Sequence, residues 1–429
     1  MELVADLHLH SKYSRAVSEQ MVISQMAKWA RKKGIDFLAT ADWTHPLWLR
    51  ELKAQLTEVN EGIFQLINNS EKVSFMLAAE IASIYFQGGK SRRIHTLVLV
   101  PSFAAVDKIN QALAHQGVKL LADGRPITGL SAHDLAERVL TLEPRALIVP
   151  AHIWTPWFSL YGSASGFDSL AECFGDLAKE IRAVETGLSS DPLMNWAIND
   201  LADKSIISFS DAHSPAKMGR EATVFEIENP QELTYEAIRQ AFIKQKIAYT
   251  IEFYPEEGKY HYTGHRSCRV SYSPDQTQKL GAICPVCGRG LTVGVLDRVQ
   301  SLAPKKIQPV VKKDTVGVNW LTLPGRPAFV RLVPLLEILA EVQETTPSSQ
   351  KVLQNYHFLT DDLGSELAIL LKLPLEKIAA VAGTRVAEGI KKVRAGEIFI
   401  SPGYDGQYGI VKVWGETETA PKNDQMSLF

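Results

Sequence analysis

The sequence predicts an α/β protein whose first half is a parallel sheet with helices, closed as a barrel or open and doubly wound. Seven short apolar runs before residue 253 have the length and composition of buried strands. Amphipathic helical stretches fill most of the gaps, as at 20–33, where apolar residues recur at helical spacing before Gly34. Strand–helix alternation of this kind favours parallel strands. The predicted strands are 3–7, 36–41, 74–79, 94–100, 146–150, 181–185 and 206–210.

Length and composition narrow the functional classes. The chain has 429 residues, 45% hydrophobic and 22% charged, with a net charge of −2. It can therefore form two or three domains, and it is not a globally basic nucleic-acid binder. No apolar run approaches the ~20 residues of a membrane span. Glu2 and Asp6 stand where a signal peptide would be basic and apolar, so we expect a soluble, cytoplasmic protein without a membrane partner.

Histidines and carboxylates follow the predicted strands. His8 and His10 are two residues apart, so an extended segment presents both imidazoles to the same side. The carboxyl ends of parallel strands converge on one face, where sites are built. A single histidine there could be a satisfied buried side chain, but six of the eleven histidines follow this pattern together with carboxylates. In strand order the residues are His8, His10, Asp42, His45, Glu80, His95, His152, Glu185, Asp211 and His213.

This mixture of ligands predicts a metal centre with more than one ion. Imidazole and carboxylate suit Zn²⁺, with Mn²⁺ or Mg²⁺ possible in part, and carboxylates can bridge two ions. Multinuclear sites lower the pKa of a bound water and stabilise the attacking and leaving oxygens of a displacement. The natural substrate of such a site is a phosphoester.

Six motifs resemble, in order, those of the polymerase and histidinol phosphatase (PHP) superfamily. They are DLHLHS, TADWTH, AAE, RRIHTLVLVP, PAHIW and SFSDAHS, within residues 1–253. The resemblance implies a seven-stranded β/α barrel with a trinuclear metal centre. It implies one ion on His8, His10, Glu80 and Asp211, with His8, Glu80 and Asp211 catalytic, and a second ion on Glu80, His95 and His152. A third would use His213 with Asp42 or His45, although Arg15-Ala16-Val17 lacks the further ligand that many members have.

Aromatic and basic residues lie next to these ligands. The aromatic side chains either cap the barrel rim or stack on a planar group such as a flipped base. The basic residues either meet phosphates or are solvated surface. The aromatic residues are Trp43, Trp48, Trp154, Trp157, Phe158 and Tyr161, and the basic ones are Arg15, Lys90, Arg92 and Arg93.

A second metal site is predicted within residues 254–300. Four cysteines are too few for a disulfide framework in a chain this long. Cys268, Cys284 and Cys287 with His265, or His261 as the alternative, have the spacing of a structural zinc site. A redox pair is the competing interpretation, and Cys173 is predicted to lie in the core.

The remainder of the chain, 301–414, is predicted to be a basic, DNA-binding region of mixed α/β structure. Residues 298–331 carry seven cations against Asp314 alone, which suits phosphate-backbone binding, although a solvated face is the alternative. Helices are expected within 330–395, with a hairpin of 397–400 and 408–414. The cations are Arg298, Lys305, Lys306, Lys312, Lys313, Arg326 and Arg331.

The last fifteen residues, 415–429, are polar until they end in two large apolar side chains. The five terminal residues resemble the peptide with which bacterial replication and repair proteins bind the β sliding clamp. They are Gln425, Met426, Ser427, Leu428 and Phe429.

Taken over nearly the whole chain, the resemblance is to DNA repair nucleases of the PHP superfamily. It implies cleavage of the phosphodiester 5′ to a deaminated base, such as hypoxanthine, uracil or xanthine, or to an abasic site. Two alternatives are a PHP phosphatase acting on a phosphomonoester such as histidinol phosphate, and a non-catalytic scaffold that binds DNA or the clamp.

Overall fold

A computed structural model describes residues 2–68, 71–227, 233–304 and 307–415. The strands are β1 (Glu2–Asp6), β2 (Phe37–Ala39), β3 (Leu56–Asn60), β4 (Ile63–Leu66), β5 (Ser74–Gln87), β6 (Lys90–Val100), β7 (Ile127–Thr128), β8 (Leu147–Pro150), β9 (Ala183–Glu185), β10 (Ser205–Ile207), β11 (Ala222–Glu226), β12 (Ile247–Glu252), β13 (Thr263–His265), β14 (Val270–Tyr272), β15 (Val310–Lys313), β16 (Asn319–Thr322), β17 (Ala328–Arg331), β18 (Phe399–Ser401) and β19 (Ile410–Lys412). The α-helices are α1 (Ile23–Lys33), α2 (Pro46–Gln55), α3 (Phe103–His115), α4 (Ala132–Leu142), α5 (Leu170–Phe174), α6 (Pro192–Trp196), α7 (Tyr235–Ile243), α8 (Pro274–Leu280), α9 (Val295–Leu302), α10 (Leu335–Val342), α11 (Gln350–Asp362), α12 (Glu366–Leu371), α13 (Leu375–Ala382) and α14 (Thr384–Ala395).

All seven predicted strands are present, as β1, β2, β5, β6, β8, β9 and β10. Their directions differ from the prediction. β1, β2 and β5 are parallel neighbours, but β6 is antiparallel to both β5 and β8. The reason is a long hairpin of β5 and β6, whose turn holds Gly88 and Gly89 at φ of 61° and 74°. Glycine reaches this left-handed region without strain. The sheet is therefore mixed, and the prediction of a purely parallel sheet is wrong.

The large sheet continues beyond residue 253. β1 pairs with β11 and β11 with β12, both antiparallel, and β12 then pairs in parallel with β17. β16 and β15 follow as the outer strands. The strands of the predicted basic region therefore belong to the same sheet as the first half of the chain.

Backbone hydrogen bonds bring the carboxyl ends of four strands together. β9 and β10 form a two-stranded parallel sheet. Ile153, just after β8, donates its N–H to Glu185 O at 3.1 Å, and Leu9 bridges to Ala212, just after β10. The segments that follow β1, β8, β9 and β10 consequently lie side by side, and they carry most of the predicted ligands.

Two hydrophobic cores support this arrangement. The first lies between the strands of the first half of the chain and their helices, and it includes the apolar face of α1 predicted from Met26, Ala27 and Ala30. That helix ends at Gly34, whose φ of 87° gives the left-handed helix end that glycine favours.

The second core packs α10 to α14 against β11, β12 and β17. The helices expected within 330–395 and the hairpin expected after them are present, the hairpin as β18 and β19. Among the described helices, none is both long and apolar enough to cross a membrane.

Candidate metal centre

His8, His10 and Asp211 form the first group of converging ligands. One ligand atom from each lies within 4.8 Å of the others. Asp211 Oδ1 is 3.0 Å from His10 Nε2 and 3.9 Å from His8 Nε2. All three atoms are buried, and none has a hydrogen-bond partner among the described residues. Burying unpaired polar atoms is costly, so the donor set fits a cation that these atoms would share.

Two carboxylates orient the imidazoles of this group. His8 Nδ1 lies 2.9 Å from Glu185 Oε1, and His10 Nδ1 lies 3.2 Å from Asp42 Oδ1. A ring nitrogen that donates to a carboxylate leaves the opposite nitrogen, Nε2, free to bind a metal. Glu185 also accepts the backbone N–H of His152 at 2.9 Å, so it joins the two halves of the centre.

The electrostatics of the first group favour positive charge. Burial opposes protonation of His8, but the carboxylates of Glu185 and Glu80 outweigh it and raise the pKa of the imidazole. His10 is shifted in the same direction, because Asp211 and Asp42 outweigh its burial. A divalent cation would satisfy the same carboxylates.

Glu80, His95 and His152 form the second group. Glu80 Oε1 is 2.7 Å from His95 Nδ1 and 3.0 Å from His152 Nε2. Glu80 Oε2 also lies 3.4 Å from His10 Nε2, so this carboxylate stands between the two groups, as a bridging ligand would. Burial raises the pKa of Glu80, but His95 and a neighbouring arginine, Arg125, outweigh it and hold the pKa well below its usual range.

None of the three residues predicted for a third ion belongs to either ligand group, and His213 lies beside the first group. Its ring centroid is 4.9 Å from that of His10. Asp42 instead lies behind His10 and accepts hydrogen bonds from the Ser11 N–H and, at 2.9 Å, from the Ser14 hydroxyl. His45 accepts the Trp48 N–H at the start of α2. The structure brings neither Asp42 nor His45 into a ligand group.

Three residues of the centre have an unusual backbone. Asp42, His152 and Asp211 have φ of 36°, 31° and 46°, in the left-handed region that non-glycine residues seldom adopt. Such strain persists only where surrounding contacts fix it, and it is common at functional sites.

A cavity of about 340 Å³ adjoins the centre. Glu80 accepts a hydrogen bond at 3.0 Å from Nη1 of Arg125, a cavity residue that no sequence motif singled out. The cavity is lined by Arg15, Ala16, Ala82, His95, Asp123, Arg125, Ile127, Phe158 and His213.

The aromatic side chains near the ligands have two different roles. Trp43, Trp48 and Trp154 are buried, and Trp154 donates its indole N–H to Asn195 at 2.8 Å. Only 1% of Trp154 is exposed, so the predicted contact of Trp154 with DNA has little accessible surface and stays a prediction. Trp157, at 39% exposure, and Phe158 remain at the rim.

The two arginines of β6 lie in different surroundings. Arg92 donates to Gly166 O, and its guanidinium lies 4.0 Å from the ring centroid of Phe167, so internal contacts engage it rather than a phosphate. Arg93 lies over Phe158 at 5.5 Å, next to the cavity. Arg15 is exposed at the cavity wall.

Fewer cations of the basic segment 298–331 are available to bind DNA than its charge suggests. Arg298 is paired with Asp168, and Arg331 with the buried Asp191. Lys312 and Lys313 are exposed on β15, and their contact with DNA stays a prediction. Lys305 and Lys306 lie outside the described residues.

Three of the four cysteines form a compact group with His265. One ligand atom each from His265, Cys268, Cys284 and Cys287 lies within 4.8 Å of the others. His261 is buried against Tyr262 instead, so the structure selects His265 of the two alternatives. The identity of any metal here stays a prediction, as does its structural role.

One protein-family model and two uncharacterized proteins are similar to this chain. The model of the MJ0043 C-terminal domain family matches residues 334–397. The uncharacterized protein MJ0043 of Methanocaldococcus jannaschii is 32% identical over 260 residues, which are 60% of this chain and 31% of that protein. The uncharacterized protein YqxK of Bacillus subtilis is 26% identical over 96% of this chain and 99% of its own length. The chain therefore spans under a third of the first relative and nearly all of the second.

Two solved structures are similar over their full length. The lesion-specific endonuclease PfuEndoQ from Pyrococcus furiosus is 32% identical, with a TM-score of 0.81 and coverage of 100% of both chains. An endonuclease Q complex with a 27-mer duplex substrate carrying an abasic lesion is 33% identical, with a TM-score of 0.82 and coverage of 99% and 100%. This chain belongs to the endonuclease Q family.

Proposed function

We propose that the protein is a DNA repair endonuclease that hydrolyses the phosphodiester 5′ to a deaminated base, such as hypoxanthine, uracil or xanthine, or to an abasic site. The observation that carries the proposal is the convergence of two imidazole and carboxylate groups, with unpaired buried atoms, beside an open cavity. The full-length likeness to a lesion-specific endonuclease, and to a complex with an abasic-lesion duplex, supports damaged DNA as the substrate.

The strands around this centre support the barrel expected of the PHP superfamily. We propose that its seven strands are β1, β2, β5, β6, β8, β9 and β10. Backbone pairing joins the first five of these strands in order. The hydrogen bond from Ile153 to Glu185 and the bridge between Leu9 and Ala212 support closure of the barrel through β9 and β10.

His8, His10 and Asp211 would hold one cation, and Glu80, His95 and His152 would hold a second. The ligand types favour Zn²⁺, with Mn²⁺ or Mg²⁺ at the more carboxylate-rich positions. His213, whose ring lies 4.9 Å from that of His10, would contribute to a third ion. When bound, such ions activate water and offset the charge that develops around the phosphorus.

The chain's own residues would orient the metal ligands and would bind the extruded base. Glu185 and Asp42 hold His8 and His10 in the tautomer that directs Nε2 to the metal. Trp157 and Phe158 offer aromatic surface at the rim, where an extruded base could stack. Trp157 and Phe158 are the accessible side chains of the aromatic loop, whereas Trp154 is buried, so we assign the expected stacking to these two.

Metal removal tests the function directly. We expect purified protein to nick a duplex with a single hypoxanthine, uracil or abasic site, and to lose the activity when it is dialysed against a chelator. Zn²⁺ or Mn²⁺ should restore it, and the undamaged duplex should stay intact. A phosphomonoester such as histidinol phosphate is the competing substrate.

The outcomes separate three classes of protein. Hydrolysis of the phosphomonoester without nicking would support a small-molecule phosphatase. Duplex binding without metal-dependent nicking would support a scaffold. Chelator-sensitive nicking of lesion duplexes alone supports the proposal.

We also propose that the terminal residues Gln425–Phe429, which lie outside the described residues, bind the bacterial β sliding clamp. The proposal rests on their resemblance to a clamp-binding peptide with two apolar anchors. Deleting these five residues should abolish clamp binding in a pull-down but leave the nicking rate unchanged. Clamp binding that survives the deletion would contradict the proposal.

A further inference from the structure

Arg125 is a cation inside the cavity beside the metal ligands. Its Nη1 donates to Glu80 Oε2 at 3.0 Å, and its side chain is 27% exposed. Among the described residues, no other guanidinium nitrogen of Arg125 has a hydrogen-bonding partner in the protein. Nε and Nη2 are therefore free to bind a ligand in the cavity.

The loop that carries Arg125 is fixed to the metal centre. Gly124 donates its N–H to Tyr13 O at 3.0 Å, and its carbonyl accepts the Thr44 hydroxyl at 2.8 Å. A Cβ at Gly124 would collide with the Ser14 hydroxyl and the Asp42 carboxylate, so only glycine allows this close approach. The backbone of this loop is therefore held next to the ligands before any substrate binds.

One carboxylate places two arginines at the cavity. Asp123 Oδ1 accepts the backbone N–H of Arg125 at 3.1 Å and that of Arg15 at 3.3 Å. Both arginines line the cavity. Asp123 thus fixes the backbone of both arginines at the cavity, where the Arg125 guanidinium pairs with Glu80 through Nη1 alone.

We propose that Arg125 binds a non-bridging oxygen of the phosphodiester that is cleaved, with Arg15 as the outer cation of the same anion site. The inference rests on the proposed function for the identity of the phosphoester. A planar guanidinium with free N–H groups matches the oxygens of a phosphate. The substrate's phosphorus must lie beside the metal ligands, and Arg125 contacts one of them, Glu80.

The contact with Glu80 is compatible with this role. Where a cation shares the Glu80 carboxylate, less negative charge remains to hold the guanidinium, and the cation repels it. Arg125 would then turn toward the anion in the cavity. A purely structural arginine would have no such alternative partner.

Binding of inorganic phosphate to the metal-loaded protein, after removal of free metal, provides the first test. Arg125→Ala should weaken phosphate binding about 10- to 100-fold, the usual effect of losing hydrogen bonds to a charged group. Arg125→Lys should bind with intermediate affinity. Arg145→Ala is the matched control. Arg145 is exposed and paired with Glu61, and it precedes β8 whereas His152 follows that strand.

A chemical change in the substrate provides the second test. An abasic duplex with an uncharged methylphosphonate 5′ to the lesion should bind wild-type protein more weakly than the ordinary duplex. In Arg125→Ala this penalty should shrink about 10-fold, because the arginine and the phosphate charge act as a pair. Thermal melting and metal content should show that each variant is folded and loaded.

Equal phosphate affinity in wild type and Arg125→Ala would overturn the inference, whatever the nicking activity. An unchanged methylphosphonate penalty would also overturn it. If phosphate binding depends on Arg125 but no lesion duplex is bound or nicked, the proposed function fails and the anion site stands.

Discussion

Asp211→Asn should reduce nicking of an abasic duplex about 10³-fold, because several kcal/mol of metal-derived stabilisation depend on its charge. Asp211 Oδ1 is the buried oxygen that His8 and His10 converge on, and it has no hydrogen-bond partner among the described residues. Asparagine keeps the shape and tolerates the φ of 46°, whereas alanine would add backbone strain. Single-turnover nicking and metal content per chain measure the effect.

The control for this variant is Asp107→Asn, a surface change on α3 at the ion pair with Lys53. It should nick at the wild-type rate. His8→Ala should also abolish nicking, but it leaves the buried Glu185 without its imidazole and should cost about 1–3 kcal/mol of stability. Wild-type nicking by a folded Asp211→Asn or His8→Ala would remove the metal centre from the mechanism.

The sequence was sufficient to predict where the strands lie and which ligands follow them. Short apolar runs mark buried strands, and the side chains directly after a strand end must emerge on one face. The structure accordingly gathers six of the predicted ligands into two groups. Local rules sufficed because each ligand is fixed by the end of its own strand.

Strand direction and side-chain partners required the folded structure. Gly88 and Gly89 are a two-residue hairpin signal, but the apolar runs on either side have the same pattern in parallel and antiparallel strands, so only the β5–β6 pairing shows that β6 is reversed. The same limit applies to Asp42, which follows a strand like a ligand and yet supports His10. Only its three-dimensional neighbours distinguish the two roles.

Charge and aromaticity were the least predictable features. A linear count of cations in 298–331 cannot reveal that Arg331 is paired with the buried Asp191. Likewise, the spacing of Trp154 from His152 places it near the site without showing that its indole faces Asn195. Arg125 carried no motif at all, because its contact with Glu80 arises from a loop distant in sequence.

If the cysteine group holds the predicted structural ion, Cys284→Ser should lose that ion and unfold the module of residues 254–300. The module's own hydrophobic cluster of buried residues contains only Val270, Cys284 and Leu291, which is too small to fold the segment without a cross-link. Metal binding supplies the folding free energy of such small domains. His265 Nδ1 lies 3.4 Å from Cys287 Sγ, and the four side chains of the group are close enough together to hold one ion.

Limited proteolysis and metal analysis together measure this effect. In Cys284→Ser, trypsin should cut rapidly at Arg266, Arg269, Lys279 or Arg289, while the first half of the chain stays resistant, and one metal equivalent per chain should be lost. Cys173→Ala is the matched control, because that cysteine is buried in the first core and belongs to no ligand group among the described residues. If Cys284→Ser retains its full metal content and trypsin resistance, the cysteines do not hold a structural ion. In that event the redox interpretation of Cys284 and Cys287 would regain its place, because the pair would then be free to form a disulfide.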